Sequence, residues 1–212
     1  MNNFLQQGLT KYLEKTELSK IKNTKILIAG AGGVGSNAAM LLVRCGFEKI
    51  TIIDYDELEP SNLNRQFFFN EQVGTLKVCG LKENLLKINH QATITIIKER
   101  LTVDNVNNLI KNQDIILEAF DDIIAKKIIV EACHLLAKHI IAVSGIAGIG
   151  NSDKIVIRKI NNRFYMVGDF ESDINLALPP LAPKVMIAAA KQVDIVLELV
   201  IGNKQSGNMS SS

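Results

Sequence analysis

The sequence predicts an α/β fold in which a mostly parallel sheet is flanked by helices and ends in antiparallel strands. Three observations carry that prediction. Short β-branched runs alternate with helical stretches from Lys25 to Val143, a glycine-rich turn joins the first run to the first helix, and beyond Gly150 two runs are separated by only two residues, the spacing of a hairpin. The 212 residues suit one such domain with an appendage, and 47% hydrophobic against 22% charged residues supplies enough apolar side chains for a sizeable core.

Residues 1–24 read as a helical arm, with Leu5, Leu9, Tyr12 and Leu13 spaced to cover one side of a helix. The domain proper is expected over 25–202. It opens with a short buried strand, Lys25–Ala29, then the glycine turn, a helix over Val34–Cys45 that Gly46 ends, and a second strand over Ile50–Asp54. A helix over Lys77–Asn89, a strand over Thr93–Ile97, a short helix begun by Thr102 and a strand over Asp114–Glu118 continue the alternation. A helix over Ile123–Ala137 and the strand His139–Val143 close it, and crossovers this short make the strands parallel neighbours. Lys154–Ile160 and Arg163–Val167, joined by Asn161-Asn162, form the expected hairpin. An acidic, Pro-containing loop at 169–183 precedes the last helix, and 203–212 is a Gly/Ser/Asn tail read as flexible because nothing in it can build a core.

Composition excludes several function classes. Lys and Arg number 24 against 22 Asp and Glu, and a net charge of +2 is too small to mark a nucleic-acid surface. Cys45, Cys79 and Cys133 are far apart and form no CxxC pair, so no zinc is expected and a reducing, cytoplasmic setting fits. The N-terminus lacks the basic-then-apolar pattern of an export signal. The apolar stretch Val185–Ile201 is interrupted by Lys191, Asp194 and Glu198 and should not span a membrane. Those charges, with Lys184, gather into one narrow stripe, so the last helix must either lie deep in its own fold or meet a second subunit; a symmetric homodimer is expected.

Gly30-Ala-Gly32-Gly33-Val-Gly35-Ser36 sits where a strand gives way to a helix, and backbone N–H groups at a helix start bind phosphate. Asp54 follows Gly35 by 19 residues and can accept hydrogen bonds from ribose hydroxyls. These features suit NAD and ATP alike. Arg65 and Lys77 then bring a planar fork and a point charge close behind the ribose acid, which a dehydrogenase does not need but an enzyme splitting a triphosphate between its α- and β-phosphates does. The fourth strand ends in Asp121 and Asp122; Asp122 is expected to cap the next helix and Asp121 to be free for Mg²⁺.

With these residues in place the chain resembles the ubiquitin-activating-enzyme-like superfamily and, within it, the ThiF/MoeB adenylyltransferases, most closely the short ThiF form. The match is Gly30–Ser36, Asp54-x-Asp56, Ser61-Asn62-x-x-Arg65-Gln66, Gly74-x-x-Lys77 and Asp121, in order across about residues 25–145. The resemblance implies a Rossmann-like domain that uses ATP and Mg²⁺ to adenylate the C-terminal Gly-Gly carboxylate of a ubiquitin-fold sulfur carrier, of thiamin type or alternatively molybdopterin type. By position it implies that Gly32 and Gly33 line the phosphate cradle, Asp54 binds ribose, Asn62, Arg65 and Gln66 meet the nucleotide, Lys77 steadies phosphate charge and Asp121 holds Mg²⁺. The chain departs from longer relatives in lacking their zinc-binding Cys pairs and any cysteine beyond Cys133, which is read as a buried structural thiol. Relatives also offer an N-terminal arginine to the partner subunit's ATP; the first arginine here is Arg44, leaving Lys11 and Lys15 as substitutes.

Two other readings share the glycine turn. A nicotinamide-dependent oxidoreductase would use Asp54 but leave Arg65, Lys77 and Asp121 without a task. A non-catalytic scaffold would bind nucleotide or carrier without turnover.

Overall fold

The computed structural model describes residues 3–172 and 177–202. The tail read as flexible, 203–212, and part of the acidic loop at 169–183 lie outside the described residues. Seven strands form one sheet in the order β3-β2-β1-β4-β5-β7-β6: β1 is Lys25–Ala29, β2 Lys49–Ile53, β3 Thr93–Ile97, β4 Ile115–Glu118, β5 His139–Val143, β6 Val156–Lys159 and β7 Phe164–Gly168. All neighbours are parallel except β6 and β7, which pair as the expected antiparallel hairpin at the end of the sheet.

The strands alternate faces as period two demands, and along the central strands both faces are apolar because both are covered, whereas β6 at the edge is exposed along its length. Ile26 and Ile28 of β1, with Ile115 and Leu117 of β4, point to a core shared with helices α2 (Lys15–Asn23), α3 (Gly33–Arg44), α4 (Lys77–Ile88) and α7 (Ala182–Ile201). Leu27, Ala29 and Ile116 point to the other core, closed by α5 (Val106–Ile110) and α6 (Ile123–Leu135). The chain winds outward from β1 through β2 to β3 and then returns to β4 on the other side of β1, so the carboxyl ends of β1 and β4 flank the topological switch point where open α/β sheets bind ligands.

Three local readings need correction. The arm is two helices, α1 (Phe4–Leu9) and α2, rather than one. Glu14 and Glu17 form a capping box that starts α2 afresh, Tyr12 is 81% exposed, and the buried side chains are Leu18 and Ile21. Thr102 and Asn105 hydrogen-bond reciprocally, Asn105 Oδ1 accepting from Thr102 N–H at 2.9 Å and Thr102 Oγ1 from Asn105 N–H at 3.3 Å, and α5 begins one residue later. α6 stops at Leu135 because Ala137 turns left-handed at φ 52°.

The last helix takes the first of its two alternatives. α7 runs along α3 and also packs on α2, β5 and β7, burying Val185, Ala188, Ala189, Val193, Ile195 and Val196 within its own fold. Lys184 does not join the solvent stripe with Asp194 and Glu198: it is buried, and its ammonium donates to the Ala147 carbonyl at 2.8 Å.

Candidate functional site

The glycine turn leaves β1 through Gly30, whose φ of 105° suits glycine, and its N–H donates to the Ile53 carbonyl at 2.9 Å. α3 then starts at Gly33 with Gly32 as its N-cap and no capping side chain, so the first N–H groups of the helix are not used up by the protein's own side chains. A Cβ on Gly35 would collide with the Gly30 carbonyl oxygen, whereas one on Gly32 would meet nothing within 4 Å. The turn is thus closed at its back and open above Gly32.

Asp54 lies just past β2, buried, and braces this turn from the side. Its Oδ2 accepts the Ala31 N–H at 2.6 Å and its Oδ1 the Asp56 N–H at 2.8 Å. Burial pushes its carboxyl above the ordinary range, while those two N–H groups and the charge of Lys77 oppose the rise.

From Asp54 the chain makes an excursion and returns. Leu58 N–H donates to Thr75 O, Gly74 N–H to Leu58 O and Lys77 N–H to Asp56 O, each at 2.8–2.9 Å, so Lys77 at the start of α4 comes back beside Asp56 and pairs with it at 2.7 Å. The middle of the excursion is bolted to α4 by a buried amide pair, Gln72 with Asn84, at 3.0 Å in both directions, and Asn84 also donates to Phe67 O. Asn62 is buried and its Oδ1 accepts the Glu59 N–H at 3.1 Å.

Arg65 and the glycine turn are held together by Asn37 of α3, whose Nδ2 donates to Gly33 O at 2.7 Å and Arg65 O at 2.8 Å. The Arg65 stem lies within 3.7 Å of where a Gly33 Cβ would stand. Its guanidinium donates to two neutral acceptors, Ser61 O at 3.0 Å and Asn64 Oδ1 at 2.9 Å, and it enters none of the ion pairs found among the described residues. Burial lowers its pKa, and the charge of Asp121 pulls the other way. A half-buried cation without a carboxylate partner suits an anionic ligand. Gln66 adds a buried Oε1 that accepts no hydrogen bond.

Of the two acids after β4, Asp122 is the N-cap, accepting Ile124 N–H at 2.8 Å and Ala125 N–H at 3.5 Å. Arg100 also binds it at 2.9 Å, and that hydrogen bond holds its carboxyl below the usual range. Asp121 stands exposed. Among the described residues no cluster of three or more His, Cys, Asp or Glu could cage a metal, so Asp121 would hold Mg²⁺ only with phosphate oxygens and water completing the shell. The structure therefore gathers Gly32, Gly33, Asn62, Arg65 and Gln66 on one side, with Asp54 and Lys77 beside them and Asp121 across the switch point.

Several residues of this framework escaped the sequence reading. Asn37, Asn84, Gln192 and Glu118 are polar side chains within otherwise buried stretches. A polar residue on an apolar helix face, or for Glu118 at the end of a wholly apolar strand, was their only advance signal.

The ThiF family profile matches residues 5–207. The chain belongs to the ThiF family. Among curated relatives, ThiF-family similarity extends to the adenylyltransferase and sulfurtransferase MOCS3 of Aedes aegypti, 35% identical over 128 residues, which are 60% of this chain and 29% of that protein. UBA4 of Candida albicans, under the same description, is 36% identical over 132 residues, 62% of this chain and 30% of that protein. The chain thus spans less than a third of the length of these relatives. Among solved structures it superposes on E. coli TcdA, a tRNA N6-threonylcarbamoyladenosine dehydratase in complex with ATP, with a TM-score of 0.83 at 22% identity, covering 92% of each chain. E. coli MccB with ATP gives a TM-score of 0.68 at 22% identity over 87% of this chain and 58% of that one. At such identities these likenesses speak to the fold.

Proposed function

We propose that this ThiF-family protein uses ATP to adenylate a carboxylate, and that the carboxylate is the C-terminal Gly-Gly of a ubiquitin-fold sulfur carrier of ThiS type. The observation that carries the reading is Arg65: a half-buried arginine whose stem lies against the glycine turn and whose guanidinium is held by neutral acceptors, with Lys77 and Asp121 on the same sheet edge. An oxidoreductase would have no use for that arrangement.

In the reaction a carboxylate oxygen attacks the α-phosphorus, the bond from that phosphorus to the bridging oxygen breaks, and pyrophosphate leaves with its electron pair. The carboxylate is already ionised near neutral pH, so the protein needs no general base. Asp54 would hold the ribose, and the open N–H groups above Gly32 and Gly33 would meet phosphate. Asn62 and Gln66 would complete the nucleotide contacts, with Arg65 and Lys77 taking up charge that moves onto pyrophosphate. Mg²⁺ bound at Asp121 would neutralise phosphate oxygens.

Homodimerisation belongs to the same proposal, supported by apolar side chains left open along α6, Ile123, Ile124 and Leu135, rather than by α7. A cytoplasmic setting fits the free cysteines. No helix among the described residues is long and apolar enough to cross a membrane.

A second acceptor follows from the likeness to TcdA over 92% of both chains: a carboxylate carried on a tRNA nucleoside. The net charge of +2 favours the carrier. Calorimetric titration tests the nucleotide assignment: saturable Mg-ATP binding that Arg65→Ala weakens supports it, and tight NAD binding without Mg-ATP binding overturns it.

A further inference from the structure

At the end of β4 the backbone is pinned from several directions. Glu118 is only 1% exposed; its Oε1 accepts the Phe120 N–H at 2.7 Å and the Lys126 ammonium at 2.9 Å, and its Oε2 accepts Lys126 at 3.0 Å and the Val143 N–H at 3.4 Å. Lys126, one turn into α6, also donates to the Val143 carbonyl at 3.0 Å. From the other face Gln192 of α7 donates to the carbonyls of Glu118 at 3.1 Å and Ile141 at 2.9 Å. Ala119 N–H is spent on Ala29 O at 2.8 Å.

The outcome is a turn pressed into the nucleotide site. A Cβ on Gly30 would stand 2.8 Å from Ala119 O, so the two turns at the switch point touch through their backbones. By accepting the Phe120 N–H, the Glu118 carboxylate holds the backbone that leaves the strand, and the chain bends at Asp121 directly after it.

We propose that Lys126 is a positioning residue of the adenylation site, acting through Glu118 to fix the turn that bears Asp121 against the glycine turn. The proposal rests on the adenylation reading for its link to catalysis, and on geometry for the link to the turn. A buried ion pair is a poor way to hold a fold together, since a matched apolar pair does so as well or better. What this pair supplies is direction: burial pushes the Glu118 carboxyl above the ordinary range, the charge and hydrogen bond of Lys126 oppose that rise, and the same carboxyl oxygens meet the Phe120 and Val143 N–H groups at once.

The test uses the full chain as Lys126→Met and as the double variant Glu118→Gln with Lys126→Met, which leaves no unpaired buried charge and supplies a folded reference should the single variant fail to fold. Hydrogen exchange on the ligand-free protein is the first readout. The amides of residues 119–122 should exchange at least tenfold faster in the variants, with α3 unchanged. The second readout is ATP–pyrophosphate exchange against Mg²⁺ concentration: half-saturating Mg²⁺ should rise at least fivefold while the KM for ATP at saturating Mg²⁺ stays within threefold, and Lys126→Arg should restore both. A folded double variant with native exchange at 119–122, or with native Mg²⁺ dependence, overturns the proposal. If the native protein shows no pyrophosphate exchange at all, the adenylation reading fails while the amide measurement still judges the role of the pair in the turn.

Discussion

A methyl group on Gly35 would overlap the carbonyl oxygen of Gly30, and neither backbone segment can move without opening the turn. Gly35→Ala should therefore lower stability by about 1–3 kcal/mol, an overpacking cost, and abolish Mg-ATP binding in the fraction that folds; denaturant melts with parallel titration check both. Asp122 offers a prediction with a sign. Arg100 depresses its pKa, so the pair stabilises the fold fully above the unfolded value of about 3.9 and loses that contribution as pH falls through the lower folded one. Asp122→Asn should melt below the native protein at pH 5 and above, and the gap should close at more acid pH. At this scale Asp54 stood out by its offset of 19 residues from Gly35, and Arg65 and Lys77 as the two cations that follow it; the structure sets Asp54 and the Arg65 stem beside the glycine turn and Lys77 against Asp56. Asn37, Gln72 and Glu118 did not stand out, because one sequence cannot tell a buried bracing amide or carboxylate from a solvated one.

At the scale of elements, α7 separates what periodicity can and cannot say. Its apolar circumference required cover, and the sequence left two candidates; the structure supplies α3, α2 and the sheet. Lys184 looked like part of a solvent stripe and is instead folded under the loop that carries Ala147. Gln192 sits among apolar neighbours because two carbonyls, Glu118 at the end of β4 and Ile141 within β5, take its side-chain donor. Gln192→Leu should cost about 1–3 kcal/mol, the penalty for stranding buried carbonyls, readable as a lower denaturation midpoint with an unchanged m-value. The arm broke into two helices because a capping box at Glu14 competes with the longer helix that apolar spacing alone suggested. Element order and type were legible from alternation and breakers, whereas helix ends moved by one to four residues wherever a local cap decided them.

For the molecule as a whole, one sheet edge collects every proposed site residue, because parallel strands send all their carboxyl ends the same way and the chain reverses direction of winding between β1 and β4. Exposed apolar side chains include Val156 and Ile157 on the edge strand β6 and Ile123, Ile124 and Leu135 on α6. If α6 mediates self-association, native protein should sediment as a dimer and Leu135→Glu as a monomer; a native monomer would remove homodimerisation from the proposal. The central claim is that Arg65, Lys77 and Asp121 act together on a triphosphate to activate a carrier carboxylate. The most direct measurement is ATP–pyrophosphate exchange with a ubiquitin-fold carrier ending in Gly-Gly, with the same carrier lacking those glycines, and with tRNA. The account predicts exchange only with the intact carrier, falling by about 10²–10³ in Arg65→Ala and at least as far in Asp121→Ala, the scale of losing one group that stabilises developing charge. Exchange that persists in both variants, or that responds to tRNA and not to the carrier, would contradict it.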